Sequence, residues 1–224
     1  MTTPIVTATG AKNRLAGWAA IASGVVSVIA FASLVVYLAT QERTFEATGV
    51  MPPIGTGLLA TSDLASALQV LLMIPAASAL DALSRRNAPV VSRAAFTVGV
   101  VALLAVATLR LLTFANSAVP GILFMAPMGF VGVWLIVANA IARGALSRSV
   151  RIVGTLAGVG FAIMGASFFF LGGLVVLTAG GGDAITNDVD FHNGIAIGGV
   201  LADILFPVWA ILLGRKLLTQ ADGG

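Results

Sequence analysis

The sequence contains no cysteine, and this absence excludes several kinds of site at once. Disulfides, thiol redox chemistry, iron–sulfur clusters and cysteine-ligated zinc sites all require that residue. Charged residues are also scarce: they make up 9% of the 224 residues, against about a quarter in a soluble domain. Hydrophobic residues make up 58% of the chain. An aqueous fold has no means of hiding so much apolar surface, so we predict that lipid surrounds most of the chain.

Catalytic signatures are missing as well. The sequence has no GxSxG elbow, no HExxH pair, no Walker loop for phosphate and no dinucleotide fingerprint. Its single histidine excludes bis-histidine haem ligation within the chain. No lysine lies in a long apolar run, where a retinal Schiff base would need one. We therefore expect no cofactor and no bound metal, and we do not expect an enzyme.

Six apolar runs are long enough to cross a bilayer, which takes about 20 apolar residues in a helix. None alternates polar and apolar residues as a barrel strand does, so the runs are predicted to be helices. The predicted spans cover residues 15–40, 57–81, 93–115, 120–142, 152–179 and 193–214. The predicted fold is therefore all-α, a compact bundle of six transmembrane helices. A cytoplasmic segment (1–14) precedes this transmembrane domain (15–214), and a cytoplasmic tail (215–224) follows it.

The basic residues predict how the bundle is oriented, because cytoplasmic loops of membrane proteins are enriched in Lys and Arg. Arg110 lies inside a predicted span, and Arg43 lies in a loop on the outer side. The other ten basic residues share the opposite side: Lys12, Arg14, Arg85, Arg86, Arg93, Arg143, Arg148, Arg151, Arg215 and Lys216. Both termini are therefore predicted to be cytoplasmic. The short loops and the richness in Ala, Gly and Val indicate a bacterial plasma membrane.

Three ionisable residues stand out well inside predicted spans, where charge is costly and is usually paired or functional. Asp63 lies about 9 Å below the outer end of span two, and Arg110 lies about 9 Å below the outer end of span three. Neighbouring antiparallel helices therefore place the two charges at one level, which predicts a buried ion pair. Asp203 in span six lies deeper, about 15 Å from the outer end. The long arginine side chain could bridge both carboxylates.

Other polar residues are predicted to extend this buried site. Gln69 in span two lies near the depth of Asp203 and would complete a polar patch. The outer mouth of the patch is predicted to be lined by Thr113, Asn116, His192 and Asn193. Two interpretations stay open at this stage. The charges could be a structural staple that only fixes helix register, or they could form a binding or permeation site open to the outside.

The run NDVDFHNG places two aspartates beside the single histidine, His192. Oxygen and imidazole ligands of this kind suit several divalent metals. The spacing departs from the EF-hand loop, however, and no second histidine is present to build a zinc site. A solvated acidic loop is the preferred interpretation, with a helix cap supplied by Asp190 or Asn193.

Small residues at four-residue spacing predict close helix packing in three spans. The pairs are Ser23 with Ser27, Gly154 with Gly158, and Gly194 with Gly198. Packing within the bundle is the preferred use of these faces. A homodimer through the Gly-rich spans is the alternative.

Spans two, four, five and six carry a resemblance to known sequences. The stretches DLASALQVLLMIPAASALDAL, GILFMAPMGFVGVWLIVANAIAR and GGVLADILFPVWAILLGRKLL, with a Gly-rich fifth span, resemble an uncharacterised family of small bacterial six-span membrane proteins. In the last stretch the similar residues are Pro207, Trp209, Gly214 and Arg215. The resemblance implies the six-span topology and implies no activity.

Three classes of function compete on this basis. The first is a small integral membrane binding or accessory protein that engages a lipid, a small ligand or a partner membrane protein. The second is a small-molecule transporter or a channel, with or without ion or proton coupling, that uses Asp63, Arg110 and Asp203. The third is a membrane enzyme. Nucleic acid is not an expected partner, because the basic residues form no stripe or arm.

Overall fold

The computed structural model describes residues 8–48, 57–85, 87–114, 123–171 and 189–222. Within these ranges every regular element is an α-helix. The six helices are α1 (Ala8–Thr48), α2 (Gly57–Ser84), α3 (Pro89–Phe114), α4 (Met125–Ile141), α5 (Arg148–Phe170) and α6 (Val189–Asp222). The all-α fold predicted from the apolar runs is confirmed.

Five of the six helices are long and apolar enough to cross a membrane. The exception is α4, whose 17 residues would extend about 26 Å along the helix axis. That length is slightly less than the hydrocarbon core of a bilayer, which is about 30 Å thick. Span four was predicted over 120–142, and residues 115–122 lie outside the described part of the chain. The structure is therefore that of a helical membrane protein, and the sixth crossing stays a prediction.

Contacts between helices define a closed, antiparallel arrangement. Each helix packs against its neighbours in the sequence, and α6 returns to pack against α1. The register of α1 and α6 shows their direction, because a side chain at Gly17 would meet Gly214 and one at Gly24 would meet Pro207. The start of α1 and the end of α6 therefore lie at the same end of the bundle.

Glycines bring α4, α5 and α6 into backbone contact. A Cβ added at Gly132 would lie 2.5 Å from the Gly158 carbonyl oxygen, and one at Gly160 would lie 2.8 Å from the carbonyl oxygen of Gly198. Gly154 faces the side chains of Asn139 and Trp209 instead of a helix backbone. The predicted GxxxG faces of α5 and α6 therefore contain residues that pack against other helices of the same chain.

Large apolar side chains fill the interior of the bundle, and other large apolar side chains cover its outside. Trp209, Phe161 and Phe206 are fully buried, and Trp134 makes an edge-to-face contact with Trp209. The outward faces expose large apolar side chains, among them Trp18, Val101, Phe170, Ile197 and Val208. Exposed apolar surface on nearly every helix is expected for a protein whose solvent is lipid.

The connections at the predicted cytoplasmic end are fixed by polar contacts. The Asn87 side-chain amide donates hydrogen bonds to the carbonyl oxygens of Ile141 and Arg143, each at 3.0 Å, and so satisfies the end of α4. The turn that follows needs a positive φ, which Gly144 supplies at 89°. The Ser147 hydroxyl then accepts the Val150 N–H and caps α5, which explains why that helix begins at Arg148, before the predicted residue 152.

Candidate functional site

Asp63 and Arg110 form the ion pair that their depths predict. The Nη1 of Arg110 donates to the Oδ1 of Asp63 at 2.8 Å and links α3 to α2. The Asp63 side chain is 3% exposed and that of Arg110 is 16% exposed, so water screens the pair very little. The buried ion pair predicted from the sequence is confirmed.

The rest of the Arg110 guanidinium is held by an aromatic ring. Its Cζ lies 3.5 Å from the centroid of the Phe124 ring, which is itself buried at the start of α4. A cation over an aromatic face is stabilised by the ring quadrupole. The Nε of Arg110 is buried and has no hydrogen-bond partner among the described residues. Arg110 therefore binds one carboxylate directly and does not bridge to Asp203 as the sequence suggested.

A small polar cavity lies beside this ion pair. Its volume is about 30 Å³, and α1, α2, α3, α4 and α6 all contribute to its wall. By the same measure one water molecule needs about 10–15 Å³, so the space would hold about two waters or one small ion. The polar side chains that line it are Ser27, Ser62, Ser66, Gln69, Arg110 and Asp203.

Several of these lining groups have no protein partner. The Ser62 hydroxyl donates to the Ala30 carbonyl oxygen at 3.0 Å. By contrast, the side chains of Ser27, Ser66, Gln69 and Asp203 make no hydrogen bond and no ion pair with any residue in the described ranges. Ser27 is 2% exposed and Gln69 is 6% exposed, although buried polar groups are nearly always satisfied. These side chains, from α1, α2 and α6, therefore line the cavity without a protein hydrogen-bond partner in the described ranges.

The structure brings only some of the predicted site residues together. Arg110, Asp203 and Gln69 line the cavity, and Asp63 is bonded to Arg110. Thr113 instead bonds its own helix, donating to the Leu109 carbonyl oxygen at 2.9 Å, and it is not among the residues that line the cavity.

The remaining mouth residues are not brought to the cavity by the described part of the structure. Asn193 is exposed on α6, and it is also absent from the cavity wall. Asn116 and the side chain of His192 lie outside the described residues. Their proposed place at the outer mouth stays a prediction.

A metal site built from several His, Asp or Glu side chains has no support in the described ranges. No group of three or more His, Asp or Glu side chains comes together within the residues that the structure describes. The acidic run before His192, residues 187–190, is largely outside those ranges.

Comparison with known proteins found no match for this chain. No protein-family model matches the chain, and no curated protein or solved structure is significantly similar to it. The site itself therefore carries the argument for function.

A second polar cluster, which was not predicted from the sequence, lies at the opposite end of the bundle. The Ser92 hydroxyl donates to the Oδ1 of buried Asp81 at 2.6 Å, and Arg85 forms an ion pair with the same carboxylate. This cluster ties α2 to α3 next to their short connection. Its signal in the sequence was an acid at the last residue of a predicted span, beside Arg85 and Arg86.

Asn139 was also missed, although it is 1% exposed in the middle of an apolar run. Its side-chain amide donates to the Leu135 carbonyl oxygen at 2.8 Å, and its Oδ1 accepts the indole N–H of Trp209 at 3.1 Å. This bond crosses from α4 to α6, and Gly154 leaves the space for it. All of its polar atoms are used inside the protein, which indicates a structural role.

Proposed function

We propose that this chain is a small integral membrane binding or accessory protein, whose polar site in the outer half of the bundle takes a small polar ligand. The observation that supports the proposal is the cavity lined by Ser27, Ser66, Gln69 and Asp203, which have no protein partner in the described ranges. An ion pair with a purely structural role needs no such space, because its two charges satisfy each other. The cavity is too small for a lipid or a drug-sized molecule as it stands.

Six crossings with both termini in the cytoplasm form part of the proposal, with a bacterial plasma membrane as the location. The support is the side on which the basic residues fall and the shared end of the bundle at which α1 starts and α6 ends. A partner membrane protein, or a second copy of the chain, would then meet the exposed apolar faces.

Because the chain has no cysteine, this topology is directly testable with single introduced cysteines. Gly57→Cys, at the outer start of α2, should react with a membrane-impermeant maleimide on intact cells. Ser149→Cys, exposed in the first turn of α5, should react only after the membrane is permeabilised. The reverse pattern would invert the orientation, and reaction of both on intact cells would remove one of the three crossings between them.

The accessibility of the cavity tests the binding site itself. Ser27→Cys, in the cavity wall, should react with a small water-soluble thiosulfonate at least about ten times faster than Ser23→Cys. Ser23 is a matched control because it lies one turn earlier on the same face of α1, is fully buried and donates to the Gln69 carbonyl oxygen. Equal rates for the two variants would show a sealed staple and would contradict a binding site.

A transporter is the second candidate, and one observation favours it. Asp203 is a carboxylate inside a membrane-spanning helix, and in the described ranges it has no ion-pair partner. Such residues mark ion and proton pathways in many membrane proteins. Flux across reconstituted vesicles separates the two functions, because a carrier moves its ligand across the bilayer and a binding protein does not. A flux that Asp203→Asn leaves unchanged would count against transport through this site.

A further inference from the structure

The charges around the cavity do not balance. Asp63 and Asp203 carry two negative charges, Arg110 carries one positive charge, and Arg110 gives its only salt bridge to Asp63. No other ionisable side chain lines the cavity in the described part of the chain. One negative charge therefore stays uncompensated in a region of low dielectric, which is costly unless something positive joins it.

The lining supplies several oxygen atoms to whatever joins Asp203. Ser27, Ser66 and Gln69 present two hydroxyls and one amide oxygen that no protein donor occupies in the described ranges. The Asp203 backbone carbonyl also lacks its usual helix partner, because Pro207, four residues later, has no N–H. Oxygen donors of this kind are the ligands that hard cations prefer.

We propose that this cavity is a binding site for one monovalent cation of about the size of Na⁺, with the Asp203 carboxylate as its charged ligand. This inference rests on the proposed function, and it names the ligand of the same site. A divalent cation would leave a net positive charge, and dedicated divalent sites use more carboxylates than one. A water molecule would fill the space and leave the charge uncompensated. A proton on Asp203 would also neutralise the charge, and the test below separates the two cases, because a protonated Asp203 gives no cation-specific shift.

Thermal unfolding of the full chain in mild detergent tests the site with the cations alone. Unfolding would be followed by tryptophan fluorescence in equal concentrations of sodium chloride, potassium chloride and choline chloride. We expect one of the metal cations to raise the Tm relative to choline, saturably, by about 5 °C or more at a hundred times its Kd. Choline carries the same charge but is too large for a 30 Å³ cavity, so it controls for ionic strength.

Two variants assign the shift to the cavity. Asp203→Asn should fold, because it removes the uncompensated charge, and it should lose the cation-specific shift. Gln69→Leu should weaken the apparent affinity by about ten-fold, since a good hydrogen-bonding or charged ligand is worth about that factor. Asp81→Asn is the matched control: it converts another buried carboxylate to an amide outside the cavity and should keep the full shift.

Equal Tm values in all three salts would overturn the cation site, and so would a cation-specific shift that survives Asp203→Asn. Neither result decides the proposed binding function. That function is tested separately by the reactivity of Ser27→Cys, which does not depend on a cation. A reactive Ser27→Cys without a cation shift would mean that the site takes another small polar ligand.

Discussion

Arg110→Gln is expected to cost about 3–5 kcal/mol of the free energy of unfolding, because it leaves the buried Asp63 carboxylate without its partner. The same change removes the stacking on Phe124 and the one basic side chain that, among the described residues, lines the cavity with Asp203. Asp63→Asn should cost less, because Asp203 still balances the charge of Arg110 from across the cavity. Unfolding in mixed micelles, followed by tryptophan fluorescence or circular dichroism, would measure both losses.

The double variant Asp63→Asn/Arg110→Gln should be more stable than Arg110→Gln alone. Replacing Asp63 as well removes the buried carboxylate that Arg110→Gln alone leaves without its partner, so the losses should fail to add by about 2 kcal/mol. Arg85→Gln provides the matched control, since Arg85 also pairs with an aspartate but its side chain is 46% exposed. Because water reaches Arg85 and the Ser92 hydroxyl still donates to Asp81, we expect a smaller loss at Arg85 than at Arg110. If the loss in the double variant equalled the sum of the two single losses, Asp63 and Arg110 would have no energetic coupling.

Gly198→Ala should destabilise the protein by about 1–3 kcal/mol, the usual range for overpacking a close contact. The added Cβ would lie 2.8 Å from the Gly160 carbonyl oxygen and 2.9 Å from the Met164 backbone nitrogen, and neither backbone atom has room to move. The α5–α6 contact would have to separate. The same unfolding measurement would quantify the loss.

The adjacent Gly199→Ala is an unusually close control for this experiment. A Cβ there would meet only the Met164 sulfur, at 4.0 Å, which is ordinary contact. Its effect should stay within about 0.5 kcal/mol, or be slightly stabilising, because alanine favours the helix more than glycine does. Equal losses at Gly198 and Gly199 would show that helix propensity, not close packing, decides the outcome.

The part of the site that the sequence predicted is the part that follows from depth along neighbouring helices. Asp63 and Arg110 sit on consecutive antiparallel helices, so counting residues from a shared membrane boundary is enough to pair them. Asp203 was correctly linked to the same region by depth. Its relation to Arg110 depends on the rotation of α6, which residue counting does not supply, and the expected bridge was absent.

One missed feature joins helices that are distant in the sequence. Asn139 and Trp209 are 70 residues apart, on helices α4 and α6, and nothing in either apolar run reveals their hydrogen bond. Ser27 was interpreted only as half of a small-residue pair for helix packing. In the structure the Ser27 side chain lines the cavity, which forms because five helices converge there. Such convergence is a property of tertiary packing, and no local pattern encodes it.

Helix ends were the other difference, and their cause is local. The apolar runs mark what lies in hydrocarbon, whereas hydrogen bonding decides where a helix stops. Thus α6 reaches Asp222, although its apolar run was predicted to end at residue 214.

The contact between α1 and α6 also determines when the protein can finish folding. The surface of α1 around Gly17 and Gly24 is complementary to α6, which is synthesised nearly 200 residues later. Until then α1 lies in the bilayer with that surface covered by lipid or by the insertion machinery. The bundle closes only after α6 has left the ribosome, so a chain shortened before α6 would lack the element that closes it.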